Sequence, residues 1–120
     1  MAERYAVKRR YPRIRSRHAV LVKRLGPEPL EGFSRTGVVG LGGCMFLADE
    51  PLGEGSVLEL LIAVRGDVVR ATARVVYELP RAPGRREVGV EFLDLPDRDR
   101  EVLINLFPPE ELQRYGITPP

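Results

Sequence analysis

The run from Val69 to Tyr77 constrains the fold more than any other stretch of this 120-residue chain. Val69, Ala71, Ala73, Val75 and Tyr77 alternate with Arg70, Thr72, Arg74 and, further on, Glu78. Successive side chains of a strand point to opposite faces, so this period of two predicts a strand with one face in a core and the other toward water. Such a strand needs partners, and five further stretches supply them: 18–25, 33–39, 44–47, 57–64 and 88–92. The last alternates Val88, Val90 and Phe92 with Glu87, Gly89 and Glu91. Turn chemistry separates them: Gly26-Pro27-Glu28-Pro29, Gly40-Leu41-Gly42-Gly43, the loop 50–55, a hairpin turn at Arg65-Gly66-Asp67, and a Pro/Gly-rich loop at 80–86. At positions 40, 42 and 43 the glycines predict a tight turn that uses positive φ.

Only the C-terminal part reads as helical. Pro96 suits a first turn, Asp97, Asp99 and Glu101 favour the positive helix end, and Leu103, Leu106 and Phe107 form an apolar stripe. Pro108-Pro109 stops the helix, and residues 110–115 add a short turn before an untethered tail. Six short strands and one terminal helix predict an all-β fold, a small six-stranded antiparallel split barrel with the helix plugging one open end. The expected division is a basic arm over 1–16, the barrel with its helix over 17–108, and a tail over 109–120.

Several function classes are excluded by what the chain lacks. A single cysteine, Cys44, forms no internal disulfide and no multi-cysteine metal site, and it reads as a small buried hydrophobe. No stretch approaches the roughly 20 apolar residues of a membrane span, and the basic N-terminus has no apolar segment behind it as a secretory signal would. A cytoplasmic location is expected, with no membrane insertion. His18 stands without a nucleophile or metal-ligand cluster, and Asp94, Asp97 and Asp99 read as helix-start residues. With no nucleophile–base pair, the chain reads as a non-enzyme that needs no cofactor.

Charge is unevenly distributed. Residues 1–24 carry nine Lys/Arg against one acid, a net +8, while the remainder carries ten basic and sixteen acidic residues, a net −6. A basic arm on an acidic body predicts a localised anion site rather than a surface coated for DNA. The arm holds Lys8-Arg9-Arg10-Tyr11-Pro12-Arg13, with Arg15 and Arg17 behind. Pro12 fixes its own φ and pushes Tyr11 toward extended geometry, so the arm is extended and can aim several guanidinium forks at one target. Those forks pair bidentately with phosphate and stack on bases. Taken alone, the run also reads as a solvated basic tail or a nucleic-acid patch. No helix follows that would enter a DNA groove, and an RNA-binding barrel would want more aromatic stacking residues than this chain has.

Three segments, RRYPR at 9–13, VVGLGGCMF at 38–46 and GVEFLDLPDRDREVL at 89–103, in this order and spacing resemble the PilZ domain, the bacterial receptor module for the second messenger cyclic di-GMP. The resemblance covers nearly the whole chain. It implies a six-stranded barrel with a C-terminal helix, an RxxxR motif in the arm, and a second motif, (D/N)xSxxG, opening a β-turn. By position, Arg9 and Arg13 match RxxxR, and Arg10 offers a shifted fork. Val38 falls at the Asp/Asn position, Gly40 at the Ser position and Gly43 at the closing Gly. The ligand-binding residues implied are therefore Arg9, Arg10, Arg13, Val38, Gly40 and Gly43, with the arm folding over the ligand as a switch.

Val38 and Gly40 offer no side-chain hydrogen bond. Two lost hydrogen bonds weaken binding by about 1–3 kcal/mol. A second expectation follows, that of a degenerate PilZ domain that binds no nucleotide and serves as a protein–protein adaptor in pilus or motility pathways. Either way the expected partner is an effector protein that the sequence does not name, with no DNA, and a homodimer is left open.

Overall fold

The computed structural model describes residues 10–118. Among the described residues seven strands precede two short helices: β1 (Arg13–Arg15), β2 (Ala19–Arg24), β3 (Leu30–Gly40), β4 (Gly43–Ala48), β5 (Val57–Val64), β6 (Asp67–Pro80), β7 (Arg86–Asp94), α1 (Asp97–Ile104) and α2 (Pro109–Arg114). Every pairing is antiparallel. The order β3-β2-β5-β6-β7-β4 returns to β3 through the β3–β4 pairing, so six strands close a barrel and β1 is a seventh strand added to β3. Closure removes the sheet edges that would otherwise invite association.

Alternation fills the interior. Ile14, Val39, Cys44, Val90 and Val75 oppose one another across five neighbouring strands, and the last four are buried. Leu58, Leu60, Ile62 and Val64 of β5 face Val69, Ala71 and Ala73 of β6 in the same core. Full burial of one such aliphatic side chain contributes roughly 1.5–3 kcal/mol, and the C-terminal segment adds to it: Leu103 and Ile104 of α1, Phe107 between the helices and Leu112 of α2 join the same cluster. The Arg65 guanidinium donates to the Asn105 carbonyl (3.0 Å), which fastens the β5–β6 hairpin to the end of α1.

The structure departs from the sequence reading in four places. First, the end of the arm is a strand: β1 pairs with Val38–Gly40 while β2 pairs with Leu30–Arg35, so the two lie end to end along one edge of β3. Between them the buried Thr36 hydroxyl accepts from the His18 N–H (2.9 Å) and donates to the Ser16 carbonyl (2.6 Å), satisfying backbone groups that the break leaves unpaired. Second, Tyr77 does not face the core. Val75 opposes Val90 but Tyr77 opposes Gly89, so Val76 is an extra residue in β6. This β-bulge turns Tyr77 outward and Glu78 inward. The Glu78 carboxylate then accepts from the Leu52 and Gly53 N–H groups (2.8 and 2.9 Å) and anchors the β4–β5 loop. Third, the segment after Pro108 is held by the body: Leu112 of α2 is 1% exposed. Fourth, Gly40, Gly42 and Gly43 all avoid the left-handed region, and a different constraint selects them.

Candidate functional site

The antiparallel registers place one row of outward-facing residues across five strands: Arg15, Val38, Met45, Gly89 and Tyr77. Beside it, Arg13 of β1 opposes Gly40. The row has two walls and a low floor. Arg13 rises from the arm side, Tyr77 and Glu87 rise from β6 and β7, and Val38, Gly40, Gly43, Met45 and Gly89 lie between them. Together they line a cleft of about 500 Å³, with Arg10, Tyr11 and Pro12 along its rim. That volume falls in the range of roughly 300–1,000 Å³ common for small-molecule sites.

Close approach explains the glycines. A Cβ on Gly43 would stand 2.0 Å from the Val90 carbonyl oxygen, where β4 meets β7. A Cβ on Gly40 would stand 2.8 Å from the Pro12 carbonyl oxygen, and one on Gly42 would stand 2.5 Å from the Tyr11 ring. The missing side chains at 40 and 42 are what let the arm lie flat on the barrel. Pro12 is buried there, and its carbonyl receives the Leu41 N–H at 3.4 Å. Gly89 plays the same part on the far wall: the Tyr77 ring covers it so closely that a Cβ would meet the ring at 1.8 Å.

The far wall is electrostatically fixed. The Tyr77 hydroxyl donates to Glu87 (2.9 Å), and Arg81 Nε donates to the other carboxylate oxygen (2.8 Å). Burial pushes the Tyr77 phenol up to about 12, assisted by the hydrogen bond and charge of Glu87 and opposed by the charges of Arg13 and Arg81. The ring is thus a neutral donor at physiological pH. Burial also raises the Glu87 carboxyl, but hydrogen bonds from Tyr77 and Arg81, with the Arg81 charge, bring it below the ordinary value. Cys44 lies beneath the floor. Its thiol is pushed up to about 12 by burial, so it stays protonated and unreactive.

Among the residues implied by the resemblance, Arg10, Arg13, Val38, Gly40 and Gly43 all line this cleft. Arg9 lies outside the described residues. Among the described residues, neither Arg10 nor Arg13 is ion-paired to a carboxylate of the protein. Tyr77, Glu87 and Met45 are cleft residues that sequence reading did not find. The bulge hides Tyr77, and only its pairing with a glycine would have signalled that its ring lies on the outer wall. His18, read as a histidine without a catalytic partner, shares a 2.5 Å hydrogen bond with the Ser16 hydroxyl. A cleft with cationic forks on one side and a flat, largely uncharged floor suits an anion that also carries planar apolar faces.

The sequence matches the PilZ domain family over residues 7–107. The chain belongs to that family. Among solved structures, the PilZ domain of YcgR from Escherichia coli with c-di-GMP is 18% identical, with a TM-score of 0.62 over 89% of this chain and 92% of that one. The Bacillus subtilis inhibitor of motility, MotI/DgrA, is also 18% identical, with a TM-score of 0.70 over 89% of this chain and 51% of that one. The K. pneumonia MrkH–c-di-GMP complex is 15% identical, with a TM-score of 0.65 over 82% and 50%. This PilZ chain therefore spans about half the length of MotI and MrkH. At these identities the likeness is one of fold. No curated protein is significantly similar in sequence.

Proposed function

We propose that this PilZ domain is a non-enzymatic receptor for cyclic di-GMP, with Arg9, Arg10 and Arg13 as its anchors. The observation that carries the reading is convergence. Residues far apart in sequence, 10–13 and 38–43, meet in one cleft beside Tyr77 and Gly89. Cyclic di-GMP joins two phosphates to two flat guanine bases. Arginine forks pair with the phosphates and with the acceptor edge of guanine, and the low floor admits a ring face. The arm then acts as the switch, because β1 is a short strand opposed to β3 at three residue pairs and seated by Ile14 against the core and by Pro12 on the barrel. The output is a changed surface for a protein effector. Such a receptor acts where the nucleotide is, in the bacterial cytoplasm. Among the described residues no helix is long and apolar enough to cross a membrane.

A second reading, an adaptor that has lost the nucleotide, is favoured by Val38 and Gly40. Neither offers a polar side chain, and Gly40 has no room for one while Pro12 is docked. Calorimetric titration with cyclic di-GMP separates the two readings. Saturable heat that is lost in Arg9→Ala/Arg13→Ala supports the receptor. Absence of heat at high micromolar ligand points to the adaptor. Val38→Asp should tighten binding, because position 38 lines the cleft and a carboxylate there supplies the hydrogen-bond acceptor that valine lacks.

A further inference from the structure

The outer wall on the other side of β3 carries a feature that the nucleotide reading does not use. Antiparallel pairing lines up Phe33 with Leu21 and Leu21 with Leu61, three outward apolar side chains abreast on β3, β2 and β5. Phe33 is 82% exposed, and Leu21 and Leu61 are half-buried. An outward barrel face is ordinarily polar, so an apolar row there calls for a covering partner. Its neighbouring row on one side is charge-paired, with Lys23 opposite both Glu31 and Glu59 and its Nζ 3.9 Å from the Glu59 carboxylate. On the other side the balance is one-sided. A groove of about 940 Å³ runs from Phe33 between Arg15, Arg17, Arg35 and Arg85. Among the described residues the one acid on its lining is Asp49, 3.6 Å from Arg85. Arg15, Arg17 and Arg35 have no carboxylate partner among the described residues.

We infer that this groove docks an acidic protein segment whose apolar side chains cover Phe33 and Leu21 while its carboxylates meet Arg15, Arg17 and Arg35. Charge complementarity selects the acidic occupant. The apolar row selects a polypeptide over a single-stranded nucleic acid, because Leu21 and Leu61 give no ring for successive bases to stack on. The groove's concavity and its place on the barrel wall, between strands, suit a segment laid along the surface better than a lipid headgroup layer. The arm serves both sites. Arg13 lines the cleft and Arg15 lines the groove, and Met45 borders both. The inference does not depend on the nucleotide reading, since Phe33, Arg17 and Arg35 lie outside the cleft.

The test titrates the isotope-labelled chain with a synthetic Glu-rich peptide carrying Leu and Phe at helical spacing. Matched probes are the same peptide with Lys for Glu, a Glu-rich peptide without apolar residues, oligothymidine, and vesicles of anionic phospholipid. The Glu/Leu/Phe peptide should shift amide signals at 15–21 and 33–36. Phe33→Ser and Arg17→Glu/Arg35→Glu should each weaken it at least about tenfold, as loss of an interface anchor does. Both variants keep the parent melting temperature because their side chains are exposed, and Phe33→Ser leaves any cyclic di-GMP heat unchanged. The inference is overturned if the Glu/Leu/Phe peptide fails to bind, or if the Lys peptide binds as well. It is likewise overturned if oligothymidine or vesicles bind this face more tightly than the peptide. Self-association of the parent that Phe33→Ser abolishes would assign the face to a second copy instead.

Discussion

Two glycine turns join neighbouring strands of this barrel, and they use glycine for opposite reasons. At the β5–β6 hairpin Val64 opposes Asp67, leaving Arg65 and Gly66 as a two-residue loop with φ of 49° and 85°. Glycine is there for its backbone freedom, and nothing lies within 4 Å of where its Cβ would be. At the β3–β4 turn no glycine needs positive φ, yet each is hemmed in by something: Pro12, Tyr11 or Val90. The first turn ends a hairpin and the second makes a place for the arm. Glycine used for space rather than for dihedral angle marks the end of this molecule that carries the cleft.

Substitutions sharpen that contrast. Gly43→Ala should have the largest effect, about 3 kcal/mol or more in urea unfolding, because the obstacle is the Val90 backbone and a seam of the barrel must part. Near-parental stability there would break the argument. Gly89→Ala should cost about 1–3 kcal/mol, since the obstacle is a side chain that can swing. In a double-mutant cycle, Tyr77→Ala should relieve much of that cost, and strict additivity would show that the ring does not press on Gly89. Gly40→Ser should cost little global stability but lift the arm. Its signature is loss of hydrogen-exchange protection at 13–15 with β2 unaffected. Gly66→Ala, with free space but an unfavourable φ, should cost about 1 kcal/mol and leave any ligand binding untouched.

The far wall of the cleft adds a pH dependence. Because Glu87 titrates below its unfolded value, its contribution is present above the unfolded carboxylate pKa and is lost as pH falls through the lower folded one. Tyr77 runs the other way. Its contribution is full below the unfolded phenol value near 10 and is lost as pH rises toward about 12. Glu87→Gln should flatten the acid limb of stability against pH, and Tyr77→Phe the alkaline limb. Unchanged limbs would mean that the Tyr77–Glu87–Arg81 chain does not form.

Much of the barrel was legible because buried strands announce themselves by alternation. Residues 69–75 and 88–92 lie on the faces their pattern assigns. The pattern failed at Tyr77, because an inserted residue shifts the phase and alternation carries no mark of where that happens. It also missed β1, since Arg13, Ile14 and Arg15 hold one apolar residue between two charges and owe their strand to the free edge of β3. The segment after Pro108 looked like a tail because few apolar residues hold it: Leu112 is buried and Ile117 packs partly against the core. In the cleft, motif spacing located the arm and the turn but not the opposite wall. Tyr77 and Glu87 come from a distant hairpin and reach the site through registers that no local pattern encodes.

The extra residue in β6 makes chain length, rather than chemistry, the variable that sets this wall. Deleting Val76 would swap the tenants of two surfaces in one step: the phenol would go inside, the Glu78 carboxylate would go outside, and the β4–β5 loop at Leu52–Gly53 would lose its tether. One codon removed in frame would therefore dismantle one wall of the cleft while leaving every remaining letter of the two motifs in place.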